Sequence, residues 1–225
     1  MTRPPPVAPP AHWWLRMSHD LRGPVAPIRM AVQMLRMGSM SPAEQAETLR
    51  LVDRQVDLLL ANIDDMSELL RINAGTFEFK PGLADLGDCF EFLEGRSALM
   101  RQLKHGGVTL VTAPWPLPLM ARHDPNRLVT VLEFLVSKVA RHARSGAELR
   151  LSLAQEAGSA VWSIDADASS LVADPEVQYV LGNSSAVDEC EGRALLVREL
   201  AVLHELEFRK LAPGQDLVFS IPIET

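Results

Sequence analysis

The sequence predicts a two-domain chain: an antiparallel helical hairpin that closes a four-helix bundle by dimerising, followed by an α/β sandwich. Three observations carry that reading. Two long segments repeat apolar residues at alternating spacings of three and four, the seam of a helix that buries one stripe. Both segments end in turn residues. After them, short strand-like runs alternate with helical ones, the order of a sheet covered by helices.

The chain has 225 residues, 47% hydrophobic and 23% charged, enough for two small cores. A formal net charge of -7 speaks against a general nucleic-acid binder. No apolar run is long enough to insert in a membrane, and the start lacks a signal-peptide core. Cys89 and Cys190 form no disulfide framework or metal cluster and suit a reducing cytoplasm. Residues 1–10 hold five prolines and read as a flexible leader, with a proline-recognition peptide as the alternative.

The first helix is expected over Ala11 to Met37, ending at Gly38. Leu21, Val25, Ile28, Val32 and Leu35 form its seam. Pro24 and Pro27 remove backbone donors, so the helix should bend after His19; two short helices are the other reading. In this register His19 lies on an outward stripe with Gly23, Ala26, Met30, Met34 and Met37. That stripe is small or soft where charge would be ordinary, which suits either a docking partner or cover by the chain's own second domain.

Ser41-Pro42-Ala43-Glu44 predicts a capped start for the second helix, with Ser41 as cap and Glu44 reaching back. Leu49, Val52, Val56, Leu59, Ile63, Met66 and Leu70 follow in phase, and Asn73-Ala74-Gly75 ends the run. A lone hairpin leaves a bundle half built, so the seams predict a homodimer; packing on the later domain is the alternative.

Strands are expected at 76–80, 108–112 and 117–120, a helix over 85–102, and a helix from Asp124-Pro125 to about 143. An alternating pair at 149–154 and 160–164, a helix from 192 to 204 and a strand over 217–223 complete the α/β sandwich over 76–225. Of six histidines, His105 and His123 are expected in loops, His142 near a helix end and His204 in the last helix. Their scatter offers no metal-ligand set.

Ser18-His19-Asp20-Leu21-Arg22-Gly23-Pro24 resembles the phospho-acceptor box of sensor histidine kinases. The run from Asp64 to Ile72, with Gly75 and Phe77-Glu78-Phe79-Lys80-Pro81, is similar to the second dimerisation helix of that family and its exit into the ATP-binding domain. The resemblance implies that His19 accepts phosphate, that Asp20 orients or activates it, and that Arg22 steadies phosphate charge. In bifunctional members of the family, the residue at Gly23 is often a threonine or asparagine that helps orient water for dephosphorylating the receiver; glycine has no side chain for that work.

The same resemblance implies a nucleotide site whose marks are missing. Phe134 and Lys138 fall where two asparagines are expected, one of them a ligand of the magnesium that accompanies ATP. A phenyl ring has no ligand atom, and a protonated lysine cannot ligate Mg²⁺. Ala166 falls at the adenine-binding aspartate and Ala168 and Ser170 at glycines; Asp165 or Asp167 makes the contact if the register slips by one. Gly192 keeps one phosphate-cradling glycine, and Arg193 beside it could attract an anion.

The expected protein is therefore a dimeric, cytoplasmic histidine phosphotransferase of a phosphorelay with a degenerate ATPase-like domain. It would take phosphate from a response-regulator receiver or hybrid kinase, with Mg²⁺ supplied by the receiver and no tightly bound cofactor of its own. A pseudokinase adaptor and an atypical ATP-dependent kinase are the competing expectations.

Overall fold

A computed structural model describes residues 11–113, 118–166, 168–185, 190–209 and 217–223, with the side chains of 11–16 and of 169 left aside. The expected leader, the Trp13-Trp14 side chains, Pro114-Trp115-Pro116 and Asp167 lie outside the described residues. The chain forms two compact units, Met1–Phe77 with Cys190–Leu196, and Glu78–Glu189 with Val197–Thr225. Residues 190–196, assigned by sequence order to the second domain, thus cluster with the first.

In the first unit, α1 spans Ala11–Met37 and α2 spans Pro42–Asn73. Helix α1 is continuous through Pro24 and Pro27, so the single-helix reading holds. The cap of α2 is the expected box: the Glu44 amide donates to Ser41 Oγ at 3.4 Å, and the Ser41 amide donates to Glu44 Oε2 at 2.7 Å. The Ser41 amide, and then its hydroxyl, hold the Glu44 carboxyl below its ordinary pKa. Gly75, at φ +70°, takes the left-handed conformation that closes the C-terminal turn, its amide donating to the Ile72 carbonyl.

The face that α1 buries in this unit runs through Met17, Pro24 and Ala31, with Leu21, Ile28 and Leu35 half-buried. On α2 the matching positions include Leu59, Asn62, Asp65 and Leu69. Val25, Val32, Leu49, Val56 and Ile63, expected in the seam, are exposed in the single chain. The heptad reading merged two neighbouring stripes. One packs the hairpin; the other is an apolar strip on its outside.

The second unit is built on a five-stranded sheet in the order β2-β4-β5-β7-β6, where β2 is Thr109–Thr112, β4 Glu148–Glu156, β5 Ser159–Asp165, β6 Glu207–Phe208 and β7 Leu217–Pro222. Strand β2 runs parallel to β4, and the other pairings are antiparallel. Strands β1, Gly82–Asp85, and β3, Met120–His123, form a separate antiparallel pair. The cross-strand pairs Leu151–Ile164 and Leu153–Trp162 lie in the core, where Trp162 lies against Phe90 and Phe219. Helix α5, Pro125–His142, covers β4 and β5 and packs on α3, Asp88–Glu94, and α4, Ser97–Gly106. Its start is as expected, with Asp124 capping the Arg127 amide and Pro125 in the first turn.

Several expectations for this half are corrected. The strand expected at 76–80 is irregular, and pairing begins only at Gly82. The helix expected over 85–102 is broken at Gly95-Arg96 into α3 and α4. The strand expected at 117–120 begins at Met120, and the final strand stops at Pro222. His105 lies in the last turn of α4, and His123, fully buried, ends β3; neither is in a loop. Helix α6, Pro175–Val180, was not anticipated. Helix α7, Gly192–Leu203, stops one residue before His204. Among the described residues, no helix is long and apolar enough to cross a membrane.

His204 supplies a pH test. It is buried, its Nδ1–H donates to the Leu200 carbonyl at 2.8 Å, and its Nε2 accepts from the Asp124 amide at 3.3 Å. Burial, which disfavours the imidazolium, lowers its pKa from the ordinary 6.5, against the raising effect of the Leu200 carbonyl and of the Asp124 carbonyl 3.3 Å from Nε2. The unfolded chain therefore takes up a proton before the folded chain does. Its contribution is complete above pH about 6.5 and is lost as pH falls toward the folded pKa. Urea midpoints should drop between pH 7.5 and 5.5, and His204→Gln should reduce that slope.

Candidate functional site

His19 sits at mid-helix on α1 with its side chain 77% exposed. Its Nδ1 lies 3.5 Å from Asp20 Oδ1. At that length the contact orients more than it binds, but its sign is clear: a carboxylate favours the tautomer with hydrogen on Nδ1. The Nε2 lone pair is then left for an incoming group. Arg22 is exposed one turn away, on the same side of the helix as His19.

The other oxygen of Asp20 has a different role. Oδ2 accepts the Gly192 amide at 3.1 Å, at the N-terminus of α7, where backbone donors and the helix dipole favour negative charge. Arg193 Nη1 donates to Asp65 Oδ1 at 2.6 Å. The anion expected near Arg193 is thus a carboxylate of α2 in this unit. Burial raises the pKa of Asp65, against the lowering effect of Arg193. Asn62 completes the group, its Nδ2 donating to the backbone carbonyl of Asp20 at 2.9 Å.

The outward stripe is where the sequence put it. Gly23 and Ala26 are exposed, as are Met30, Met34 and Met37, the last at 73%.

In the second unit, Phe134 and Lys138 are both buried on α5, with the Lys138 ammonium 5.5 Å from the Phe134 ring centre. Lys138 makes a short ion pair with Glu176 and approaches Asp174 Oδ2 at 3.5 Å. Asp174 caps α6, its Oδ1 accepting the amides of Glu176 and Val177 at 3.0 Å each. His142, one turn beyond Lys138 on α5, joins the same cluster: its Nε2 lies 2.9 Å from Asp174 Oδ2 and its Nδ1 2.9 Å from Ser170 Oγ. For the Asp174 carboxyl, burial alone would raise the pKa. The His142 and Val177 bonds and the Lys138 charge outweigh it and bring a net lowering.

Of the residues expected around a nucleotide, Ala166 is buried just after β5 and Ala168 precedes a short 3-10 turn, Ser169–Ala173. Ser170, expected in place of a glycine, binds His142 instead. Sequence reasoning missed Asp174, Glu176 and Asn62, and it placed His142 at a helix end without a role in this cluster. A signal existed for the first two, because Asp174-Pro175 repeats the Asp124-Pro125 helix start.

Comparison with known proteins places the hairpin in a described domain. Residues 15–75 match the His Kinase A (phospho-acceptor) domain. With the α/β unit behind it, the chain has the two-part fold seen in solved histidine kinases. It is 30% identical over 131 residues to Two-component system protein A of Emericella nidulans, covering 58% of this chain and 19% of that protein. To the alginate biosynthesis sensor protein KinB of Pseudomonas aeruginosa it is 27% identical over 139 residues, covering 61% and 23%. The chain spans about a fifth of the length of these relatives. Among solved structures, the histidine kinase AdeS of Acinetobacter baumannii shares the fold with a TM-score of 0.68 at 17% identity, over 92% of this chain and 97% of that one. The histidine kinase ThkA, solved in complex with the response regulator TrrA, has a TM-score of 0.60 at 13% identity, over 95% and 62%.

Proposed function

We propose that the protein is a dimeric, cytoplasmic histidine phosphotransferase of a two-component phosphorelay, which takes a phosphoryl group on His19 from a receiver's phospho-aspartate and passes it to another receiver without using Mg-ATP. The observation that carries this reading is the buried Lys138–Glu176–Asp174 cluster. At the position where the resemblance implies a magnesium-ligating asparagine, a protonated lysine is already neutralised by two carboxylates. An ammonium repels Mg²⁺ and has no lone pair to offer it, and Phe134 has no ligand atom. These residues do not fit Mg-ATP.

The chemistry then needs little from this chain. The neutral His19 imidazole, with hydrogen on Nδ1 toward Asp20, attacks phosphorus through Nε2. An N–P bond forms as the acyl O–P bond of the receiver breaks, and the receiver's carboxylate leaves with the electron pair. The receiver brings its own Mg²⁺ to shield the phosphoryl oxygens. The reverse sequence loads the next receiver. Met30, Met34 and Met37 offer an adaptable apolar surface for docking beside His19.

A second copy fits the exposed strip of Val25, Val32, Leu49, Val56 and Ile63. Light scattering should give about twice the chain mass of 24.8 kDa. Because Val56 and Ile63 are exposed in the single hairpin, Val56→Asp with Ile63→Asp should produce a folded monomer. A wild-type monomer would overturn the dimer.

Calorimetry with Mg-ATP tests the nucleotide half of the proposal. No saturable heat is expected. A low-micromolar isotherm, about -8 kcal/mol, would overturn the nucleotide half and favour the ATP-dependent kinase reading.

A further inference from the structure

The turn that carries His19 is built around a missing amide. In a regular helix the N–H of residue 24 donates to the carbonyl of residue 20. Residue 24 is Pro24, which has no N–H and whose ring crowds that carbonyl. A donor comes from the facing helix instead: Asn62 Nδ2 reaches the Asp20 carbonyl at 2.9 Å. The bond is part-buried and links positions 42 residues apart in the chain.

Asn62 is an unusual choice for its place. It lies on the face that α2 turns to α1, between Leu59 and Met66, where an apolar side chain would pack at no desolvation cost. A carboxamide there must be bonded, and its bond goes to the backbone of the residue adjacent to the phospho-acceptor.

We propose that Asn62 is a positioning residue for His19. It substitutes for the amide that Pro24 lacks and fixes the rotation of the turn that presents the imidazole. The consequence passes through Asp20. With its carbonyl pinned, the Asp20 backbone is fixed, and the carboxylate 3.5 Å from His19 Nδ1 keeps the ring aimed outward. Without the pin the proline defect becomes a swivel, and His19 meets an incoming phosphorus in many orientations instead of one. This inference rests on the reading of His19 as the phosphate carrier.

Proline supplies an internal control. Pro24→Ala restores an N–H that can donate to the Asp20 carbonyl within α1, which makes Asn62 redundant. Full-length wild type, Asn62→Leu, Pro24→Ala and the double variant are compared by three measurements. The first is transfer from a phosphorylated cognate receiver at saturation, with receiver affinity measured separately. The second is labelling of His19 by phosphoramidate, in which an N–P bond to His19 forms as the P–N bond to the leaving ammonia breaks. The third is hydrogen exchange of the amides of residues 17–23.

Asn62→Leu should slow saturated transfer about tenfold or more, leave receiver affinity and phosphoramidate labelling within about twofold, and speed the exchange. Adding Pro24→Ala should return transfer to within about threefold of wild type and restore exchange. Wild-type transfer in Asn62→Leu, or no recovery in the double variant, overturns the proposal. Equal loss of receiver transfer and phosphoramidate labelling also overturns it, since that marks general damage. If no receiver labels His19 in the wild type, the carrier reading fails, and exchange decides the positioning by itself: a gain in Asn62→Leu that Pro24→Ala reverses upholds the pin, and unchanged exchange removes it.

Discussion

Replacing His19 by alanine should abolish phosphoryl acceptance from any cognate receiver, a loss of at least about a thousandfold, because the nucleophile itself is gone. The variant should stay folded. The side chain is largely exposed, and its contact with Asp20 is too long and too exposed to contribute much stability. Asp20→Asn keeps shape and removes charge. It should slow transfer by about ten- to a hundredfold, since an amide no longer favours hydrogen on Nδ1 over Nε2. Receiver affinity should barely change. Met30→Lys with Met34→Lys should do the reverse, weakening docking at unchanged saturated rate, because these side chains are exposed on the His19 face but not next to the imidazole. Label transfer from a phosphorylated receiver, followed with receiver concentration, separates rate from affinity. If His19→Ala still accepts phosphate, the carrier is another residue. If wild type docks a receiver and never becomes labelled, the protein is an adaptor.

Much of the hairpin was legible because its signals are local. The α2 cap uses four consecutive residues, the turns rest on Gly38 and Gly75, and the apolar period fixes helix over strand. The orientation of the seam was not legible. Val25 and Val32 lie on one edge of the apolar arc and Pro24 and Ala31 on the other, and the wrong edge was assigned to the hairpin. The apolar arc of α1 is wider than the stripe the hairpin buries, and its period alone does not say which edge faces α2. Strand 76–80 failed for a related reason: Phe77 and Phe79 alternate with polar residues, but a strand needs a neighbour to pair with, and pairing begins at Gly82. Lys138 could be seen as an obstacle to Mg²⁺ from its chemistry alone. Its partners could not, because Asp174 and Glu176 lie 36 and 38 positions away in the chain and meet it only in the fold. Asn62 was hidden for the same reason.

Removing the Glu176 carboxylate should be among the most damaging single changes in the α/β unit. Glu176→Gln leaves the Lys138 ammonium, 6% exposed, facing Asp174 at 3.5 Å and an amide in place of its short ion-pair partner. A buried ion that loses its partner keeps its desolvation cost, typically about 3–5 kcal/mol. Asp174 limits the damage, so the lower end of that range is expected. Exchange of the β4 and β5 amides, which open with the core of this unit, gives the measurement without averaging over the hairpin. Replacing both members, as Lys138→Met with Glu176→Leu, should recover most of the loss and come within about 1 kcal/mol of wild type. Asp174 would still hold its two backbone amides and His142. Salt separates this cluster from a surface pair: between about 0.05 and 0.5 M, the Glu176→Gln deficit should hardly change, because mobile ions do not reach a buried pair. None of these variants should gain Mg-ATP affinity, since losing a repelling ammonium does not supply a metal ligand. If Glu176→Gln proved neutral in exchange, Lys138 would have another adequate counter-charge, and the cluster could not be what closes this site to a metal-bound nucleotide.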